Sequence, residues 1–349
     1  MNTPQRMRPL VNSLFSLLLL GLLLSVATPI TAAQSTTGQA RIAFVTADYD
    51  TREMTLSLVD PVSGAVTVLL HDGNFYQPVF SPDGRSLAFV GENPRSRSQN
   101  IYIVSTDGTD LHPLIPIDGS TRYWPNGRVA WSADSTQIFY GVTDRSRRPT
   151  GFFRANVDGS DPERIEFEGM NGRYLSMNIA ATTDGSRLAF LAEDENFNTQ
   201  LFIANADGTN PQPITAALLD NQPYDTVAWS PDGLHTLLSV NPSFAPVPEP
   251  LMLADADGAN AVAVINPPPN YITSGSWSPD GSQITFLATE MGGDSVPDGE
   301  VYVANADGSG LRALNIEVNV GYFGTSWGII PDDVILPTAP ASFMEAIGR

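Results

Sequence analysis

The sequence predicts an all-β fold, a six-bladed β-propeller of four-stranded antiparallel blades, on three observations. First, a hairpin motif returns every 48 to 51 residues, as Phe80-Ser81-Pro82-Asp83-Gly84, Trp131-Ser132-Ala133-Asp134-Ser135, Ala181-Thr182-Thr183-Asp184-Gly185, Trp229-Ser230-Pro231-Asp232-Gly233 and Trp277-Ser278-Pro279-Asp280-Gly281. Second, an Asp-Gly turn between apolar runs follows each copy about 25 residues later, so every unit holds two hairpins. Third, the chain has 29 Gly and 28 Pro among 349 residues and no long helical pattern.

The turn chemistry explains the motif. Pro82 presets φ at the second position of a tight turn, Ser81 and Asp83 bond nearby backbone groups, and Gly84 takes the left-handed conformation that closes the hairpin. The flanking runs, such as Leu87-Ala88-Phe89-Val90 and Ile101-Tyr102-Ile103-Val104, are apolar on successive residues, which suits sheets covered on both faces.

In chain order, Arg6 and Arg8 precede an apolar run from Leu14 to Val26, and Thr31-Ala32-Ala33 suits a signal peptidase. Residues 1–33 are therefore expected to be a cleaved signal peptide, with an uncleaved N-terminal anchor as the alternative. Residues 34–40 are a small polar linker, 41–335 the propeller and 336–349 a C-terminal tail. Arg41-Ile42-Ala43-Phe44-Val45 matches the second strand of a unit, and the missing first strand reappears as Thr325-Ser326-Trp327-Gly328-Ile329. A strand from the C-terminus is thus expected to complete the first blade, which removes open edges.

Forty-two per cent apolar content supports a sizeable core, and the formal charge is −20, with every basic residue an Arg. Fourteen Arg face 18 acidic residues between Arg41 and Arg187, whereas only Arg312 and Arg349 face 20 acidic residues beyond it. Such a balance argues against a nucleic-acid partner. The absence of Cys excludes disulfides, thiol catalysis and a lipidated Cys.

The Trp/Phe-Ser-Pro-Asp-Gly hairpin, with the downstream turns Asn205-Ala206-Asp207-Gly208-Thr209 and Asn305-Ala306-Asp307-Gly308-Ser309, resembles the WD-like repeats of the TolB-type β-propeller family over about residues 41 to 333. TolB is a periplasmic part of the Tol-Pal envelope complex with an α/β domain before its propeller. Only seven residues separate the expected cleavage site from the first strand here, so the expectation is a TolB-like module lacking that domain. The resemblance implies a protein-binding propeller; relatives also occur attached to peptidases or as polysaccharide lyases.

Catalytic signals are sparse. Gly324-Thr325-Ser326-Trp327-Gly328 matches Gly-x-Ser-x-Gly but falls on a repeat strand, with no His after it. His71, His112 and His235 lie in different units without ligand spacing, and Asp255-Ala256-Asp257-Gly258 lacks the Glu that would complete a calcium loop, so no catalytic residue, metal or cofactor is assigned. The positive signal is a Tyr in each loop between units: Tyr76, Tyr123, Tyr174, Tyr224, Tyr271 and Tyr322, with Trp124 beside Tyr123. Together with Arg95, Arg97, Arg145, Arg147 and Arg148 they form a candidate binding face, since Tyr and Arg supply contact area at modest entropic cost. The competing reading is that each Tyr packs over its own blade.

These observations predict an exported, periplasmic or extracellular, non-enzymatic module that binds a protein or peptide through its loop-rich face, without nucleic acid or a stable membrane span after signal cleavage. The alternative is a carbohydrate-binding or lyase-like propeller whose Tyr ring stacks on sugars.

Overall fold

The computed structural model describes residues 37–48, 53–93, 99–115, 124–125, 127–143, 149–170, 175–193, 199–214, 224–240, 250–266, 268, 271–289, 298–319 and 324–347. The chain divides into two units, Met1–Ile30 and Thr31–Arg349, and all described residues belong to the second. The expected signal segment 1–33 lies outside them.

The apolar, β-branched runs form β1 (Gln39–Asp48), β2 (Glu53–Val59), β3 (Val66–Phe80), β4 (Ser86–Glu92), β5 (Gln99–Ser105) and β6 (His112–Pro113). They are followed by β7 (Trp124–Pro125), β8 (Ala130–Trp131), β9 (Gln137–Thr143), β10 (Pro149–Asn156) and β11 (Glu163–Ile165). The next repeats give β12 (Leu175–Ala181), β13 (Arg187–Glu193), β14 (Thr199–Asn205) and β15 (Gln212–Pro213), then β16 (Tyr224–Trp229), β17 (His235–Val240), β18 (Leu251–Asp255) and β19 (Val262–Ile265). The last strands are β20 (Tyr271–Trp277), β21 (Gln283–Thr289), β22 (Asp298–Asn305), β23 (Arg312–Asn319), β24 (Ser326–Ile330) and β25 (Ala341–Ser342), before one helical turn, α1 (Phe343–Ala346).

The blades are antiparallel, but the count of six separate blades is corrected. Among the described residues the strands fall into five hydrogen-bonded sheets. Four stand as separate blades: a five-stranded sheet of β7 to β11 and three four-stranded sheets, β12 to β15, β16 to β19 and β20 to β23. The fifth is a continuous eight-stranded sheet in the order β24-β1-β2-β3-β4-β5-β6, with β25 added against β3. It arises because β3 runs unbroken for 15 residues, pairing with β2 through Gly73 and with β4 from Asn74 onward. Asp72 and Gln77 take φ of 68° and 50°, and the β3–β4 register shifts between Tyr76 and Val79. These bulges bend the strand without ending its pairing, so two repeats share one sheet.

The chain's ends are joined as the displaced first strand implied. β24 pairs with β1, placing Trp327 opposite Ile42 and Ser326 opposite Ala43. Ile42, Phe44, Val59 and Trp327 then pack with Leu287, Val301 and Val303, which seats the last separate sheet on the first sheet. The other seams repeat this arrangement: Val90, Ile101 and Ile103 meet Trp131, Ile138 and Tyr140, and Leu191 and Leu201 meet Val227, Trp229 and Leu238. The core is therefore a series of apolar layers between neighbouring sheets, each side chain adding roughly 1.5–3 kcal/mol by leaving water.

The turns behave as the motif dictates. The Ser81 hydroxyl donates to Asp83 Oδ1 at 2.6 Å, Asp83 Oδ1 accepts from Arg85 N at 3.1 Å, and Gly84 N donates to Ser81 O at 2.9 Å. Ser132–Asp134, Thr182–Asp184, Ser230–Asp232 and Ser278–Asp280 repeat the hydroxyl-to-carboxylate bond.

Beyond β24, Asp333 takes both oxygens to the Arg85 guanidinium at 3.0 and 2.9 Å, and β25 lies parallel on Leu70 and His71. Ser342 caps α1 by accepting from Glu345 N at 3.2 Å. Phe343 is fully buried, edge-on to Tyr102 at 4.9 Å and to Phe75 at 5.2 Å between ring centroids.

Candidate functional site

The free edges of the sheets converge on a central cavity of about 160 Å³, lined by the ends of β3, β8, β12, β16, β20 and β24 and the residues just after them. An edge strand exposes unpaired backbone N–H and C=O groups, which must find other partners when buried. Here polar side chains of neighbouring edges supply them. Ser326 Oγ accepts from Phe80 N at 3.0 Å, Ser274 Oγ from Thr325 N at 3.2 Å, Ser276 Oγ from Trp327 N at 3.3 Å, and Asn178 Oδ1 from Arg128 N at 2.9 Å.

The motif tryptophans act in the same way, though not all of them. Trp131 Nε1 donates to Val79 O at 3.0 Å and Trp277 Nε1 to Ala228 O at 3.1 Å, each latching one edge strand to the one before it. Trp229 and Trp327 occupy the same motif position, are each 7% exposed, and their buried Nε1 atoms have no acceptor. The buried Thr325 Oγ1 has no partner either. The Arg187 guanidinium lies 4.8 Å from the Trp229 ring centroid, a cation–π contact.

Among the described residues lining the cavity Arg128 is the only charged one, and it is half-buried. Its guanidinium crosses to Gly275 O at 3.3 Å and to Thr325 O at 3.5 Å. Pro82, Ala133, Thr183, Pro231 and Pro279 line the turn end of the cavity, and each is followed by an exposed Asp, so a ring of carboxylates surrounds that mouth. The hydroxyls of Ser132, Ser230 and Ser278 hold the carboxyls of Asp134, Asp232 and Asp280 below the usual range. Burial pushes Asp184 up, but bonds from Thr182 and Ser186 outweigh it and the net shift is downward.

The face expected from the sequence is only partly described. Tyr76 lies in β3 opposite Val90 and packs on the layer containing Val90, Ile101 and Trp131. Tyr224 and Tyr271 are the first residues of β16 and β20, and Trp124 opens β7 opposite Thr143. Tyr123, Tyr174, Tyr322, Arg95, Arg97, Arg145, Arg147 and Arg148 lie outside the described residues. Ser326 of the Gly-x-Ser-x-Gly string sits within β24 with its hydroxyl accepting from Phe80, not on an elbow. His71 contacts Asp72 at 2.9 Å, and the His112 nitrogens lie 2.8 Å from Asp110 O and 3.1 Å from Val157 O. Asp255 and Asp257 accept from Asn260 Nδ2 and Ala259 N within their own turn. Among the described residues no group of three or more His, Asp or Glu is placed to hold a metal ion, and no helix is long and apolar enough to cross a membrane.

Sequence reasoning passed over Arg128, Asn178 and the serines that quench the edges. The signal that existed was the Trp recurring at positions 131, 229, 277 and 327, where the other two copies have Phe80 and Ala181; it marks a strand and also carries an N–H donor.

Residues 22–247 match the family model described as the TolB beta propeller domain. No curated protein matches the chain by sequence. Among solved structures, TolB from Acinetobacter baumannii is 18% identical with a TM-score of 0.64, over 83% of this chain and 66% of that one. The chain thus spans just under two thirds of that protein. A putative TolB from Agrobacterium tumefaciens is 14% identical with a TM-score of 0.59, over 84% of this chain and 100% of that one. A chain of a nidogen/laminin complex is 11% identical with a TM-score of 0.59, over 84% of this chain and 99% of that one. At these identities the likeness is one of fold.

Proposed function

Because the chain belongs to the TolB β-propeller domain family, we propose that it is an exported, non-enzymatic module that binds a protein or peptide in the periplasm or outside the cell. The binding surface is the loop-rich face bearing Tyr76, Tyr123, Trp124, Tyr174, Tyr224, Tyr271 and Tyr322, with Arg95, Arg97, Arg145, Arg147 and Arg148 contributing charge. Export rests on the N-terminal pattern of residues 1–33, and the linker 34–40, the body 41–335 and the tail 336–349 complete the organisation.

One observation carries the reading. Tyr224 and Tyr271 stand at the starts of β16 and β20, at the ends of those strands remote from the Ser-Pro-Asp-Gly turns. The turn end is filled with tight, internally bonded hairpins, which leaves the opposite end for variable contact. A chain of the same fold in a nidogen/laminin complex is consistent with a protein partner.

The test is affinity capture from the envelope fraction with the mature protein and its Tyr123→Ala and Tyr271→Ala variants. Loss of the captured partner at unchanged melting temperature supports the binding face. A lowered melting temperature with full capture assigns the Tyr ring to packing and overturns the face. Retention on pectin fragments or peptidoglycan, with no protein captured, overturns the protein partner.

A further inference from the structure

The outer edges of the sheets are protected in different ways. A bare strand edge is a template for another chain, and Pro or charge on it blocks pairing. β6 and β15 end in Pro113 and Pro213, β11 carries Glu163 and Arg164, β23 carries Arg312 and Glu317, and β19 is followed by Pro267-Pro268-Pro269. The outer half of β3 has none of these. Its run Val66-Thr67-Val68-Leu69-Leu70 is uncharged, rich in β-branched residues and free of Pro, the composition of a self-pairing segment. β2 takes one side of it, and among the described residues the only strand on the other side is β25, at Leu70 and His71.

The tail fits this place closely. A Cβ on Gly73 would fall 2.5 Å from the Phe343 ring and one on Gly91 3.0 Å from it, so the ring needs two residues without side chains beneath it. Val334, Leu336, Ala341, Met344 and Ile347 pack on the same cluster, and Phe75, Phe89 and Tyr102 are each at most 1% exposed. With the tail detached, these rings and the strand edge at Leu70 face water together. We propose that residues 331–347 are a guard over a self-pairing edge, and that a chain whose tail is detached associates through β3 with a second copy. Like segments pair antiparallel across a two-fold axis, which makes the edge complementary to itself. Charge favours the same partner: β3 lies between Arg41 and Arg187, where fourteen Arg offset most of 18 acidic residues, so two copies repel least there. The edge is separate from the Tyr-bearing face, and the proposal stands whether or not that face binds a protein.

Sedimentation equilibrium of the full chain over a range of concentrations provides the test. Phe343→Ala is expected to raise the self-association constant about tenfold over the wild type. Hydrogen exchange that leaves β12 to β23 protected identifies the associating species as folded. Adding Val68→Lys to that variant sets a charge on the edge and is expected to return association to the wild-type level. An excess of a synthetic peptide of residues 337–349, which covers the edge again, is expected to do the same. Should Phe343→Ala unfold the chain, Asp333→Arg takes its place: it sets a like charge against Arg85 at an exposed pair and is expected to raise association about threefold, with Arg85→Asp reversing it. Wild-type association in both Phe343→Ala and Asp333→Arg, or an association that Val68→Lys and the peptide leave unchanged, would overturn the proposal.

Discussion

The eight-stranded first sheet and the three four-stranded sheets are built from the same repeat, yet they are held differently. Each four-stranded sheet owns its strands and meets its neighbours through apolar layers and single side-chain latches such as Trp277 Nε1 to Ala228 O. The first sheet joins two repeats through β3, takes β24 from the far end of the chain, and is covered by β25 and α1. The difference shows that the repeat specifies hairpins, while the connection between hairpins decides where one sheet stops.

The largest effect that would break this comparison is at Phe343. Its ring is fully buried against Phe75, Phe89 and Tyr102, so Phe343→Ala should cost about 3–5 kcal/mol by the usual cavity rule. Denaturant melts would show this, and hydrogen exchange should place the loss in β3 to β5. Equal loss of protection in β16 to β19 would mean that the first sheet has no stability of its own.

Next comes the same glycine in two regions. Gly84 and Gly233 close equivalent turns with φ of 71° and 69°. A Cβ on Gly84 would fall 1.7 Å from Ile329 O, whereas one on Gly233 meets nothing within 4 Å. Gly233→Ala should therefore cost only the left-handed penalty, about 1–2 kcal/mol. Gly84→Ala should cost clearly more, because the backbone of β24 must move. Equal melting temperatures for the two variants would show that the closing strand yields freely.

A smaller effect separates the tryptophans. Trp277→Phe loses a buried bond to Ala228 O and should cost about 1 kcal/mol beyond the loss of ring area, while Trp229→Phe breaks no bond. Melting of the two variants measures the contribution of the latch.

Acid gives the gentlest test. Each of the four separate sheets holds an Asp in the turn between its cavity-lining edge strand and the next, at 134, 184, 232 or 280, whose carboxyl is depressed in the folded chain, and three of them hold a second, at 158, 207 or 307. A depressed carboxyl adds stability that is fully present above the ordinary Asp value of about 3.9 and is lost as pH falls below it. The melting temperature should hold from about pH 7 to 5 and drop below about 4. Ser230→Ala should flatten part of the drop, since Ser230 supplies the bond that depresses Asp232.

Much of this fold was legible because its information is local. Ser81, Pro82, Asp83 and Gly84 dictate a turn within four residues, and the displaced first strand around Trp327 revealed the pairing with β1. The continuity of β3 was not legible, because left-handed conformations at Asp72 and Gln77 leave no mark in composition. Phe343 reads as one apolar residue in a short tail until its pocket of Phe75, Phe89 and Tyr102 is assembled from distant strands. Arg128 gave no signal for a related reason: its carbonyl partners, Gly275 and Thr325, lie in later repeats.

The pairing of Gln39–Ala43 with Ser326–Ile330 also sets an order of events during synthesis. The first strand emerges before its partner and keeps a bare hydrogen-bonding edge until Ser326–Ile330 has been made. Through that interval it is the segment on which a holding chaperone has most to protect, and a chain stalled before Ser326 would present it to other nascent copies.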